Sequence, residues 1–150
     1  GADEAAADIT RDARAFTGAI RNRIFMFLRG VVNGDFEQAL AAVHRSATIS
    51  EGEAVAVPEA IEPAWTAKRL EEALEAYNAG HEFLCFDPNA RNARHTYVVP
   101  SEDHRHWRVQ QMLVDPEGHN DWVAEFEVDL PQSRAIGEPI LRLTRMGPLA

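Results

Sequence analysis

His104 and His106 stand two residues apart in Ser101-Glu-Asp-His-Arg-His-Trp107, and on a strand that spacing points both imidazoles the same way, as metal ligation requires. Asp103 and His119 could join them. Zinc sites usually show several Cys or His at motif spacing, however, and a solvated loop accounts for this run, so no metal ligand is assigned. Glu125, Glu127 and Asp129 alternate along one segment and would share a strand face, where paired carboxylates can act as general acid and base once their pKa values are driven apart. Arg108 and Arg142 offer cross-strand partners, and a salt-bridged solvent face is the plainer account. Cys85, the only cysteine, has no Cys-x-x-Cys context and no adjacent base, so it reads as a small core hydrophobe. It also excludes an internal disulfide and suits a reducing compartment. Lys68, the only lysine, follows Ala67, whereas a Walker A loop needs Gly-Lys-Ser/Thr, so the chain carries no P-loop. No catalytic residue is assigned.

Binding is better represented than catalysis. The formal charge is -9, yet five Arg and one Asp between Thr10 and Val32 give that stretch +4 and leave -13 on the remainder. At ~100° per residue Arg11, Arg14, Arg21 and Arg29 fall within an arc of about 80° on one helix, with Phe25 among them. This mixed basic and apolar strip suits a protein interface, with Arg14, Arg21, Phe25 and Arg29 as the contact residues. The acidic remainder would repel a nucleic-acid backbone beyond the strip. Gln111 falls on an apolar strand face, where a buried amide needs a backbone, water or ligand partner. With Tyr77 and Trp107 it could line a hollow between sheet and helices.

The elements that must position these groups follow from periodicity. Trp107–Val114 and Asp121–Leu130 alternate as strands around the turn Asp115-Pro-Glu-Gly-His-Asn120. With Val114 opposite Asp121, Trp107 faces Val128, Val109 faces Phe126 and Leu113 faces Trp122. The other side sets Arg108 against Glu127 and Gln110 against Glu125, so one register satisfies both faces. A third strand, Ile140–Met146, extends the meander with Val128 meeting Leu143, Asp129 meeting Arg142 and Leu130 meeting Leu141. Upstream, Phe16, Ile20, Ile24, Phe27, Leu28 and Val31 form the buried stripe of a helix from Asp12 to Val31. Asn33-Gly34 ends it and Asp35 caps a second helix. A weak hairpin between Ser46 and Val57, a helix from Thr66 to Asn78 ended by Gly80, and short strands at Glu82–Phe86 and Thr96–Val99 complete the order.

Helices first and a mostly antiparallel sheet last predict an α+β domain with helices on one sheet face. That order resembles the cone-shaped fold of the nuclear transport factor superfamily, which implies a curved sheet enclosing a pocket; a small-ligand module or enzyme using that pocket is the alternative reading. Residues 1–8 look like an added start or a linker, and 9–150 like one accessory domain. No apolar run approaches the ~18 residues of a membrane span and no signal-peptide pattern opens the chain, so the expected location is cytoplasmic.

Ile9-Thr-Arg-Asp-Ala-Arg-Ala-Phe-Thr17 leading into Arg21-Asn-Arg-Ile-Phe25, the Trp65 helix start, Trp107-Arg-Val-Gln-Gln-Met-Leu-Val-Asp-Pro-Glu-Gly118, Asp121-Trp122, Glu127-Val-Asp-Leu130 and Leu141-Arg-Leu143 together resemble one known domain. It is the C-terminal domain of unknown function that follows the motor in bacterial DEAD/DEAH-box superfamily-two helicases. The resemblance implies a non-catalytic appendage that docks on the helicase core of its parent. ATP and Mg would act only in the upstream motor, so no cofactor is expected here, and the parent's RNA or DNA would at most touch the arginine face directly.

Overall fold

The computed structural model describes residues 9–43 and 65–149. The linker assigned to residues 1–8 and the hairpin expected between Ser46 and Val57 lie outside them.

The first helix, α1 (Ala13–Asn33), begins where Asp12 accepts the backbone N–H groups of Arg14 and Ala15, each at 3.1 Å. It ends where Gly34 takes the left-handed conformation at φ 78°, which glycine adopts without steric cost. Its buried stripe is the expected one, Phe16, Ile20, Ile24, Phe27, Leu28 and Val31. Asp35 accepts from Gln38 N–H and opens α2 (Phe36–Val43). The corner between the helices is closed at Gly30, where a Cβ would lie 2.8 Å from Ala39 Cα and Cβ. Thr66 caps α3 (Ala67–Gly80), which buries Leu70 and Tyr77. Gly80 is its last helical residue, and the chain turns extended at His81.

Four antiparallel strands follow in the order β1 (Thr96–Pro100), β2 (His106–Leu113), β3 (Trp122–Asp129) and β4 (Leu141–Pro148). The β2–β3 register is the one that charge and apolar matching require: Trp107 opposes Val128, Val109 opposes Phe126, Leu113 opposes Trp122 and Arg108 opposes Glu127. The described strands make an open sheet, and the expected cone is not drawn by them.

Two sequence expectations are corrected. Glu82–Phe86 is not a strand; its backbone bond to the sheet runs from Cys85 N–H to Val114 O at 2.8 Å. The β3–β4 register is two residues from the expected one, with Val128 opposite Leu141, Glu127 opposite Arg142, and a bulge between Glu125 and Phe126. The cause is a short helix, α4 (Leu130–Ile136), that alternation concealed. Asp129 caps it by accepting from Gln132 N–H at 2.9 Å, and Pro131 suits its first turn because proline lacks the N–H that a ladder would need. Asp129 therefore leaves the carboxylate row, and Arg142 pairs with Glu127 instead.

Helices cover one face of the sheet. Phe27 meets Phe126 edge-on at 5.4 Å between ring centroids, and Phe16 meets Trp107 at 5.3 Å. Phe16, Ile20, Ile24, Phe27, Tyr77, Val109, Gln111, Leu113, Phe126 and Leu143 are all buried and, among the described residues, form the core between the layers. Among the described residues no helix is long and apolar enough to cross a membrane.

Gly30→Val should lower the unfolding free energy by about 2–3 kcal/mol in denaturant titrations, because Ala39 backbone atoms must move to admit the new side chain. A second expectation concerns His95, in the 3-10 turn Ala93–His95 that leads into β1. Burial, then the neighbouring Arg94, hold its imidazole below the ordinary value, against a bond to the Asn89 backbone. A lowered folded-state pKa contributes stability that is complete above the unfolded value of about 6.5 and is lost as pH falls through the folded value. Unfolding curves between about pH 8 and pH 5 should accordingly show the advantage of the native chain over His95→Gln shrinking as the medium is acidified.

Candidate functional site

The strip on α1 is not presented as the helix geometry implies. Arg14 and Arg29 are exposed, whereas Arg21 and Phe25 are half-buried beneath the segment Phe86–Arg91. Arg21 donates to the Arg91 carbonyl at 2.6 Å and lies over the Phe25 ring at 5.0 Å. Phe25 meets Phe86 edge-on at 6.4 Å, and Arg91 in turn lies over Phe86 at 5.3 Å while donating to its carbonyl. Cation–π and edge-on contacts thus use these two members of the strip to hold a loop. Arg23, outside the expected arc, pairs with Glu138 beside α4. Between α1 and α2 lies a groove of about 400 Å³, lined by Arg23, Met26, Arg29 and Asn33 on one side and Asp35, Gln38 and Ala41 on the other. Met26 is 52% exposed there, so the solvent-facing part of α1 remains both basic and apolar.

Tyr77 and Trp107 lie toward opposite ends of β2, with Gln111 between them. Tyr77 stands edge-on to Trp122, whose cross-strand partner is Leu113, six residues or about 20 Å along β2 from Trp107. Gln111 is fully buried, accepts from the Thr96 hydroxyl at 2.5 Å and donates to the Met112 carbonyl at 3.4 Å. Its amide is satisfied within the sheet.

The histidines are also redistributed. β2 begins at His106, and His104 sits in the preceding turn at φ 60°, so the two do not share a strand face. His119 lies at the far end of the β2–β3 hairpin, in a cluster with His81, Asp115 and Asp121. His81 follows α3 directly; its Nδ1 lies 2.7 Å from the Tyr77 carbonyl and its Nε2 lies 2.8 Å from Asp121 Oδ1. Tyr77 stacks flat on the His81 ring, with centroids 4.1 Å apart and planes 7° from parallel. Asp115 is buried and accepts backbone N–H groups from Asn120 at 2.9 Å and Glu117 at 3.2 Å, while its Oδ2 lies 3.3 Å from His119 Nδ1. Burial opposes ionisation of Asp115, but the N–H donors of Asn120 and His119 and the His119 charge outweigh it and hold the carboxyl below its usual range. Burial likewise pulls His81 down, yet the Tyr77 carbonyl, Asp121 and Asp115 prevail and leave its imidazole above the ordinary value. Burial, followed by the charges of Asp115 and neighbouring groups, raises the Tyr77 phenol. No spacing rule in the sequence announces this cluster, because His81 stands 34 residues before Asp115.

Filled sheet–helix layers, an arginine-bearing outer helix and a polar cluster at one hairpin tip define a small α+β domain, with N-terminal helices laid over an antiparallel meander. The chain belongs to the family described as Domain of unknown function (DUF3516), whose model matches residues 1–146. No curated protein and no solved structure matches it.

Phe86→Ala should release the loop from α1 without unfolding the core, since it removes one aromatic pair and one cation–π contact worth roughly 1–2 kcal/mol together. Hydrogen exchange at the amides of Ala90 and Arg91 should accelerate while that of β2 and β3 stays unchanged.

Proposed function

We propose that this domain is a non-catalytic accessory module of a bacterial ATP-dependent DEAD/DEAH-box helicase, docking on the motor and thereby positioning or regulating it. The observation that carries the reading is the filled interior. Phe16, Phe27, Tyr77 and Phe126 are buried between sheet and helices, and Tyr77 on α3 lies toward the opposite end of β2 from Trp107. What the domain offers a partner is its outside. The family resemblance supplies the identity of that partner, and ATP and Mg act in the motor.

Docking uses the exposed arginines at Arg14 and Arg29 together with Met26 in the α1–α2 groove. Arg21 and Phe25 contribute indirectly, by holding Phe86–Arg91 against the same helix. The net charge of -9 favours a partner with basic patches around an acidic centre over a phosphate backbone.

In the reversed-charge variant Arg14→Glu/Arg29→Glu, affinity for the helicase motor supplied as a separate polypeptide should fall at least about tenfold, or roughly 1.4 kcal/mol. Circular dichroism and melting temperature should be preserved, because both side chains are solvent-exposed and Glu in the first helical turn complements the helix dipole. Undiminished affinity would rule out this face as the interface, and steep salt dependence of binding to RNA or duplex DNA would replace the motor with nucleic acid as the partner.

A further inference from the structure

The contact between His81 and Asp121 poses a charge problem. A carbonyl oxygen only accepts hydrogen bonds, so His81 Nδ1, 2.7 Å from Tyr77 O, carries the proton there. In the neutral ring Nε2 is then a lone pair, and it faces a carboxylate oxygen 2.8 Å away. Two acceptors at that distance require a second proton on the ring, or a small outward swing of the exposed Asp121 side chain so that both atoms can ligate one cation. Close by in the same hairpin tip, His119 Nδ1 lies 3.3 Å from a carboxylate oxygen of Asp115.

We propose that His81, Asp115 and His119, with Asp121 as fourth ligand, form a binding site for a first-row divalent metal ion of the zinc type. One ligand atom from each of His81, Asp115 and His119 already lies within 4.8 Å of the others. Bonds of about 2.0–2.2 Å in a tetrahedral zinc site set ligand atoms roughly 3.3 Å apart, so the widest separation must contract by up to about 1.5 Å while Asp121 Oδ1 moves about 0.5 Å away from His81 Nε2. The residues that have to move can do so: the side chains of His119 and Asp121 are 58% and 60% exposed.

The other two are held ready. The His81 side chain is 6% exposed, its Nδ1–H is fixed on a backbone carbonyl and its ring is clamped against Tyr77. Donation of the second ring N–H to a carbonyl is the arrangement that orients a metal-binding imidazole and sets its tautomer. The Asp115 carboxylate is wholly buried and oriented by two backbone N–H groups, leaving an Oδ2 lone pair toward His119. Two imidazoles with two carboxylates suit zinc, cobalt or nickel, whereas magnesium and calcium prefer an all-oxygen shell. A bound ion would clip the end of α3 to the tip of the β2–β3 hairpin. This role is independent of docking through α1, which lies on another part of the surface.

The test uses the full chain without an affinity tag, stripped by chelator and titrated with zinc chloride by calorimetry and thermal melting, with cobalt as a spectroscopic probe of ligation. The expected result is one equivalent of zinc bound, a melting temperature that rises with zinc concentration, visible cobalt bands of a tetrahedral field, and no response to magnesium. His119→Ala, in an exposed turn position, should weaken zinc binding at least about tenfold while lowering the chelated protein's melting temperature only slightly, by the loss of its contact with Asp115. Asp121→Asn should weaken it as well. Absence of saturable zinc binding, or zinc binding that His119→Ala leaves intact, would overturn the site and leave His81 as a protonated structural latch.

Discussion

The meeting of α1 with the β2–β3 ribbon is the constraint on which the remaining structure depends. Phe27 on Phe126 and Phe16 on Trp107 are edge-on pairs that each contribute roughly 0.5–1.5 kcal/mol beyond the area they bury. They exist only in one register, because side chains alternate faces along a strand. A slip of one residue would send Phe126 and Val109 to solvent and bring Glu125 and Arg108 under the helix. On the far face Gln110 donates to Glu125 at 2.9 Å across the same two strands, a contact that penalises the same slip.

From that contact the rest of the packing follows. A helix lying flat on the ribbon leaves little room at its C-terminal end, and α2 turns back tightly enough that only glycine fits at position 30. At the other border of the sheet, α4 lets the chain leave β3 and re-enter as β4 with its apolar residues inward. Ser133 ties this detour down, donating to the Asp129 carbonyl at 2.6 Å and accepting from Ile140 N–H at 2.8 Å. Buried as it is, the hydroxyl replaces ladder bonds that α4 interrupts.

Among the described residues, aromatic rings and branched aliphatic side chains occupy the space between sheet and helices. Polar chemistry is displaced to the periphery: a basic groove on the helical side, and the His81–Asp115–His119–Asp121 group at a hairpin tip. Both are suited to holding elements together, within the chain or between it and a partner.

How much of this was legible in the residues depended on the range of the interaction. Local rules found α1 and its stripe, the cap at Asp35, and the β2–β3 register, since each rests on periodicity or on neighbours within one hairpin. They missed α4, because Asp121–Leu130 alternates up to the residue where Asp129 stops acting as a strand residue and starts acting as a cap. They also misplaced Arg21 and Phe25: a helix wheel shows which residues share a face, and it contains no loop from 65 positions downstream to lie upon them. His81 could not be matched with Asp115 and His119 for the same reason. Sequence by itself determined the faces of each element, through side-chain periodicity and hydrophobic burial. Which faces meet, and which polar groups are brought within bonding distance of one another, was decided only when the chain closed on itself, because those distances depend on contacts between segments that no local pattern encodes.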